Sequence, residues 1–126
     1  MMLSVGIDVV EIGRIEKTID RFGGRFLDRI YTDYERALCD HGNGKARAQR
    51  YAGYWAAKEA TMKALGTGNR KGVAYKDIET RHEPSGKPYI VLYGAAKSTA
   101  TNIGVKQMAV SISHEKSIAG AVAVLT

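Results

Sequence analysis

Two acids and one lysine carry the chemistry this sequence offers. Asp8 closes the apolar stretch LSVGID, while Glu59 and Lys63 stand four residues apart in WAAKEATMKALGTG, which begins at Trp55 and ends at Gly68. At about 100° per residue the second stretch winds into a helix closed by two glycines. Glu59 then falls about 40° from Trp55 and about 60° from Met62, on the apolar side of the wheel. An unpartnered carboxylate is costly there. An ion pair with Lys63 one turn on would contribute only about 0.2–0.5 kcal/mol. A carboxylate that holds a metal ion, beside a lysine that reaches for a phosphate, accounts for both charges better. Asp8 reads either as an ordinary strand-end or N-cap aspartate or as a second hard oxygen ligand. Mg²⁺ is commonly held by one or two carboxylates together with water and substrate phosphate.

Other residues carry weaker signals. Gly66 and Gly68 flank Thr67. They suit a helix C-cap, and a glycine turn also lets an anion approach the backbone. The segment is not a P-loop, because the glycines follow the helix and no G-x-x-x-x-G-K-[ST] pattern is present. His114 ends SISH, and neither His41 nor His82 has a metal-ligand partner at a useful spacing. Arg14, Lys17 and Arg21 share one helical face, roughly opposite Ile15, Ile19 and Phe22. Such a stripe is either a solvated face or a docking surface for an acidic helix, where its benefit lies mostly in encounter rate.

These residues need a scaffold, and the rest of the chain predicts one. The 126 residues are enough for one domain with one core, residues 1–126. Hydrophobic content is 44% and charged content 25%, as in ordinary globular proteins. No run is apolar for the ~20 residues a membrane span needs. The start, MMLSVGIDVVEIG, lacks the basic opening of a signal peptide and carries two acids. A lone Cys39 can form no internal disulfide, so a reducing cytoplasm is the expected compartment. Nineteen basic residues against thirteen acidic leave +6, and residues 45–76 hold eight of the basic ones with Glu59 as their only acid. Such a field draws an anionic partner.

A strand is expected over residues 3–8 and a helix over 11–22, stopped by Gly23-Gly24. Thr32 and Glu35 have capping-box spacing and open a short helix to about Asp40. HGNGK is a loop, and a long helix follows over about 46–65. A hairpin is expected from strands near 77–82 and 89–94, then a helix over 95–102, then strands over 108–113 and 118–125 around a turn at 114–116. Helices grouped early and strands grouped late predict α+β, with a largely antiparallel sheet packed against a long helix and shorter helices.

Taken together, these motifs resemble holo-[acyl-carrier-protein] synthase, the short stand-alone class of 4′-phosphopantetheinyl transferases. GIDVVEIGRIE resembles the family's N-terminal G-x-D motif, and WAAKEATMKALGTG resembles its W/F-x-x-K-E-A-x-x-K-A-L-G-T-G signature. DIE at 77–79, SGKPYIVLYG at 85–94 and VSISH at 110–114 follow in family order, so the resemblance spans essentially the whole chain. It implies the 4′-phosphopantetheinyl transferase fold and a reaction. A serine of an acidic apo acyl carrier protein attacks the β-phosphate of coenzyme A, takes the phosphopantetheine arm and releases 3′,5′-ADP, in fatty acid biosynthesis. On this resemblance Asp8 and Glu59 match the Mg²⁺ ligands, and Lys63 matches the lysine on the phosphates. Gly66, Gly86, Lys87, Pro88 and His114 match coenzyme-binding positions, while Arg14, Lys17 and Arg21 match the carrier-protein docking helix. It also implies a homotrimer with active sites between subunits. One position departs from the pattern. Many members have an arginine before the signature aromatic, where this chain has Tyr54; that contact is lost or passes to Arg50 or Arg47.

Phosphoryl transfer mainly needs positioning and charge neutralisation. Mg²⁺ on Asp8 and Glu59 would bridge the pyrophosphate, and Lys63 would offset charge on the oxygens. Either Glu59 or a metal-bound water could take the serine proton. Two other readings compete: another Mg²⁺-dependent nucleotide phosphotransferase, and a small basic nucleic-acid-binding protein. The second uses Tyr51, Tyr54 and Trp55 near the basic run but leaves Asp8 and an inward Glu59 unexplained. Neither a nucleic acid nor a membrane is therefore an expected partner.

Overall fold

The chain opens with a strand whose side chains alternate between two environments. In the computed structural model, which describes residues 1–42, 44–68 and 72–126, β1 runs over Ser4–Glu11. It leads directly into α1 (Ile12–Phe22), which buries Ile12, Ile15 and Ile19. Gly23 ends α1 as expected, but a second short helix, α2 (Gly24–Ile30), starts at once, where the sequence showed only a stop. Thr32 and Glu35 form the anticipated capping box and open α3 (Asp33–Cys39). The long helix α4 spans Gly44–Leu65, two residues longer at its start than expected. A 3₁₀ turn at Tyr75–Asp77 precedes the hairpin of β2 (Ile78–His82) and β3 (Pro88–Leu92). Helix α5 (Gly94–Ile103) and strands β4 (Met108–Glu115) and β5 (Ile118–Leu125) complete the chain. Part of the expected 41–45 loop, Asn43, and the segment 69–71 lie outside the described residues.

All strand pairing is antiparallel, in an α+β arrangement, but the strands form two sheets. One has the order β1-β5-β4 and the other is the β2-β3 hairpin. The register places Asp8 opposite Ala121, His114 opposite Ala119 and His82 opposite Pro88. His114 is thus still inside β4, with the turn just beyond it.

The three-stranded sheet lies on α4, and small side chains let the two approach closely. Ala52, Ala56, Ala57 and Ala60 of α4 are fully buried, as are Ala119 and Ala123 of β5. The tightest point is Gly6. A Cβ there would sit 2.0 Å from the Ala60 carbonyl oxygen and 2.7 Å from the Ala64 nitrogen. Only glycine allows this contact between strand and helix backbone. Ser4 reinforces it by donating from Oγ to the Ala64 carbonyl at 2.7 Å. Because strand side chains alternate, Asp8 points to the same face as Gly6, toward α4. Val5, Ile7 and Val9 point the other way and stay 63%, 64% and 61% exposed.

The far side of α4 is held by a buried ion pair. Lys58 was counted in the basic run, yet it faces inward and is fully buried. Its ammonium meets Glu35 Oε1 at 2.8 Å and donates to the carbonyls of Tyr75, at 3.0 Å, and Ile78. Burial pulls this lysine below its ordinary pKa, against the opposing pull of Glu35. Glu35 accepts from the Thr32 amide at 2.9 Å and the Thr80 amide at 2.8 Å. One pair therefore ties α3, α4, the 3₁₀ turn and β2 together. The basic run is not a free cationic face either. Arg47 pairs with Asp40 at 3.0 Å, Arg50 donates to the Cys39 carbonyl, and Arg70 and Lys71 lie outside the described residues.

Lys58→Met leaves the Glu35 carboxylate buried without its cation. Removing one partner of such a pair costs about 3–5 kcal/mol. Denaturant unfolding followed by fluorescence of Trp55, the only tryptophan, measures the loss; a change under about 1 kcal/mol would mean the pair does not hold these elements together. Gly6→Ala is expected to push β1 off α4, cutting stability by about 1–3 kcal/mol through overpacking. A crystal structure of that variant with β1 unmoved would refute this account of the contact.

Candidate active site

Asp8 and Lys63 meet because β1 lies on α4. Lys63 Nζ donates to the Ile7 carbonyl at 2.9 Å and to Asp8 Oδ1 at 3.2 Å. The Asp8 side chain is 15% exposed and that of Lys63 is 52% exposed, so the pair opens to solvent at its cationic end. The partner of Lys63 is therefore Asp8, not Glu59 one turn earlier. Glu59 is half-buried, and its Oε1 accepts from the Tyr75 hydroxyl at 2.6 Å. The Tyr75 ring stacks on Trp55, with centroids 5.0 Å apart and planes 20° apart. Positions i and i+4 of a helix lie roughly 5–6 Å apart, so Glu59 and the Asp8–Lys63 pair share one neighbourhood.

The donor set is all oxygen. Among the described residues the second oxygen of each carboxylate receives no hydrogen bond, and no three His, Cys, Asp or Glu side chains gather as a metal cage. Two carboxylates open to water and phosphate suit Mg²⁺, whereas a zinc centre draws on imidazole and thiolate. The residues present therefore fit the ion that the sequence motifs imply. Gly66 lies just beyond Lys63. It is the left-handed C′ residue of a Schellman cap, φ 82°, with its amide on the Met62 and Lys63 carbonyls and the Thr67 amide on Met62.

A second feature lies elsewhere. A cavity of about 700 Å³ is lined by Tyr34, Leu38, Arg50, Gly53, Tyr54, His82, Gly86, Pro88, Ile112 and His114, among others. It gathers three of the expected coenzyme positions. Lys87 is exposed on the same hairpin and does not line it, and neither do Asp8, Glu59 and Lys63. Tyr54 faces His82, its hydroxyl 3.4 Å from Nδ1, and burial raises its phenol pKa. Arg50 lines this wall; Arg47 is held at Asp40 and does not. Sequence reasoning passed over Tyr34 and His82. The pairing of His82 with Pro88 was the available signal, since a hairpin strand shares its partner's surroundings. Cys39 is not a candidate nucleophile, because burial and then the nearby Glu35 push its thiol up to about 12.

The α1 stripe is a groove. Arg14, Lys17 and Arg21 line a depression of about 500 Å³ with Glu11, Gly13, Thr18 and Phe22. Phe22 was expected on the core face. As the last residue of α1, at the chain reversal, it is 47% exposed, with the Arg21 guanidinium 5.1 Å from its ring centre. The groove thus combines one aromatic ring and one carboxylate, Glu11, with three cations.

Comparison with known proteins identifies the family. Residues 4–123 match the family model of the 4′-phosphopantetheinyl transferase superfamily. Holo-[acyl-carrier-protein] synthase of Koribacter versatilis is 46% identical over 126 residues, covering 99% of this chain and 98% of that protein. The crystal structure of the Helicobacter pylori holo-[acyl-carrier-protein] synthase in complex with coenzyme A aligns with a TM-score of 0.85 at 35% identity, over 97% of this chain and 99% of that one. The Bacillus anthracis synthase in complex with CoA (3′,5′-ADP) aligns with a TM-score of 0.82 at 37% identity, over 99% and 97%. With both signature helix and G-x-D strand in place and near-complete coverage at these identities, the chain belongs to the holo-[acyl-carrier-protein] synthase family of 4′-phosphopantetheinyl transferases.

Proposed function

We propose that this protein moves the 4′-phosphopantetheine group from coenzyme A to a serine of an apo acyl carrier protein, with Mg²⁺, in the cytoplasm and in service of fatty acid biosynthesis. The whole chain acts as one domain. The observation that carries the reading is the pairing of Asp8 with Lys63 across the β1–α4 contact, with Glu59 one turn earlier on the same helix. Asp8 and Glu59 would hold Mg²⁺, which supplies charge neutralisation at the pyrophosphate. Lys63, half-exposed, extends its ammonium toward the phosphate oxygens. The serine hydroxyl gives up its proton, to Glu59 or to a water, its oxygen bonds to the β-phosphorus as the bond to the bridging oxygen breaks, and 3′,5′-ADP departs. The cavity at Gly86, Pro88 and His114, with Tyr54 and Arg50 on its wall, suits the nucleotide end of the coenzyme. Lys87 on the hairpin and Gly66 beside Lys63 flank the coenzyme's course. The Arg14–Lys17–Arg21 groove suits an acidic carrier-protein helix.

The protein assembles as a homotrimer with shared sites. Two features support this. Within one chain the cavity with His114 excludes Asp8, Glu59 and Lys63. The outer face of the three-stranded sheet carries the exposed row Val5, Ile7 and Val9, which water solvates poorly. A closed three-fold ring with head-to-tail contacts covers that face and sets one chain's cavity against a neighbour's carboxylates.

Mass spectrometry of apo carrier protein incubated with coenzyme A and Mg²⁺ tests the reaction through the phosphopantetheine adduct. Glu59→Gln and Asp8→Asn keep the volume and remove one ligand charge each, and adduct formation is expected to fall at least about 100-fold in both. Parent rates at limiting Mg²⁺ in either variant would remove that residue from the metal site. Mixing inactive Glu59→Gln with inactive His114→Ala tests the shared site. Some mixed interfaces carry two intact halves, so part of the activity returns. A monomer by light scattering, fully active at assay concentration, would refute the shared site.

A further inference from the structure

Glu59 is held before any substrate arrives, and the residue holding it lies outside the signature helix. Tyr75 sits in the 3₁₀ turn that leads into β2. Three contacts with described residues hold it. Its ring stacks on Trp55, one turn before Glu59 on α4. Its carbonyl accepts from the buried Lys58 ammonium at 3.0 Å. Its hydroxyl donates to Glu59 Oε1 at 2.6 Å. The turn itself is pinned by the Ala74 amide on Asp77 Oδ2 at 3.1 Å. Tyr75 thus bridges the buried Lys58–Glu35 pair, which is structural, and a carboxylate on the open side of the same helix.

We propose that Tyr75 is a positioning residue that makes Glu59 a one-oxygen metal ligand, its hydroxyl occupying Oε1 and leaving Oε2 for the cation. The inference rests on the Asp8–Glu59 metal reading above. A glutamate side chain has three rotatable torsions, and a ligand must lose that freedom when it binds. The stacked phenol removes it in advance. A neutral donor also leaves the carboxylate its charge, where a lysine would cancel it. Lys58, the neighbour of Glu59 in sequence, is turned away to Glu35. Ligating carboxylates that are themselves hydrogen-bonded bind metal better, and loss of such a partner typically weakens affinity by about 10–100-fold.

The test is Mn²⁺ binding in place of Mg²⁺, read by electron paramagnetic resonance with saturating coenzyme A and no carrier protein. Tyr75→Phe keeps the ring on Trp55 and deletes only the donor. Its Mn²⁺ affinity is expected to fall about 10-fold, with coenzyme A affinity in the absence of metal unchanged. Trp55→Leu takes away the ring beneath Tyr75 but keeps the hydroxyl, and it is expected to weaken Mn²⁺ by a smaller factor. A purely structural Tyr75 gives a different pattern, a lowered unfolding temperature with Mn²⁺ affinity as in the parent, and that result overturns the proposal. Absence of Mn²⁺ binding in the parent protein instead overturns the metal reading beneath it.

Discussion

The backbone contact at Gly6 is the constraint on which the site depends. Strand and helix can approach this closely only where no Cβ stands between them, and α4 answers with alanines along the same face. The approach sets the distance at which Lys63 reaches both the Ile7 carbonyl and the Asp8 carboxylate. A wider spacing would leave Asp8 on an isolated strand and Lys63 in water. The geometry of the Asp8–Lys63 pair is therefore a consequence of packing small residues on small residues.

The opposite flank of α4 uses a different kind of force. Lys58 and Glu35 are wholly buried, so each depends on the other and on the amides and carbonyls around them. Breaking one partner strands the other charge in a medium that solvates it poorly. Such a pair gives little net stability over an apolar substitute, but it accepts few alternative arrangements. It fixes the 3₁₀ turn on α4 and so delivers Tyr75 to Glu59. Two adjacent residues of the signature, Lys58 and Glu59, thus have different partners, Lys58 a buried Glu35 and Glu59 the Tyr75 hydroxyl.

The candidate carboxylates and the cavity occupy different parts of the fold. Asp8 lies at the β1–α4 seam and Glu59 beside the 3₁₀ turn, whereas the cavity lies between α3, α4, the hairpin and β4. A single chain of this length has one core to pack against, and it spends the open face of its larger sheet on an apolar row. In the proposed homotrimer, joining the cavity of one chain to the carboxylates of another would make use of that row.

The short-range features of this protein were legible in its sequence. The capping box at Thr32 and Glu35, the helix that ends at Gly66, the hairpin around 83–88 and the two final strands all rest on neighbours within a few residues, and all are present. The motifs also sufficed to identify the family and to single out Asp8, Glu59 and Lys63. What sequence could not supply was the partner of each charge. Helical spacing offered an ion pair of Lys63 with Glu59 as the plain alternative to a metal-bound carboxylate, but the strand brought in by Gly6 presents Asp8 to Lys63. Lys58 counted as one of a basic run, because nothing local reveals that Glu35, far away in the chain, is buried against it. Phe22 counted as core, because periodicity knows the face of a helix but not where the core beneath it ends. Periodicity and capping are decided within a few residues of chain; which charge meets which is decided by elements brought together from 17 to 55 residues apart, and only the tertiary packing makes that choice.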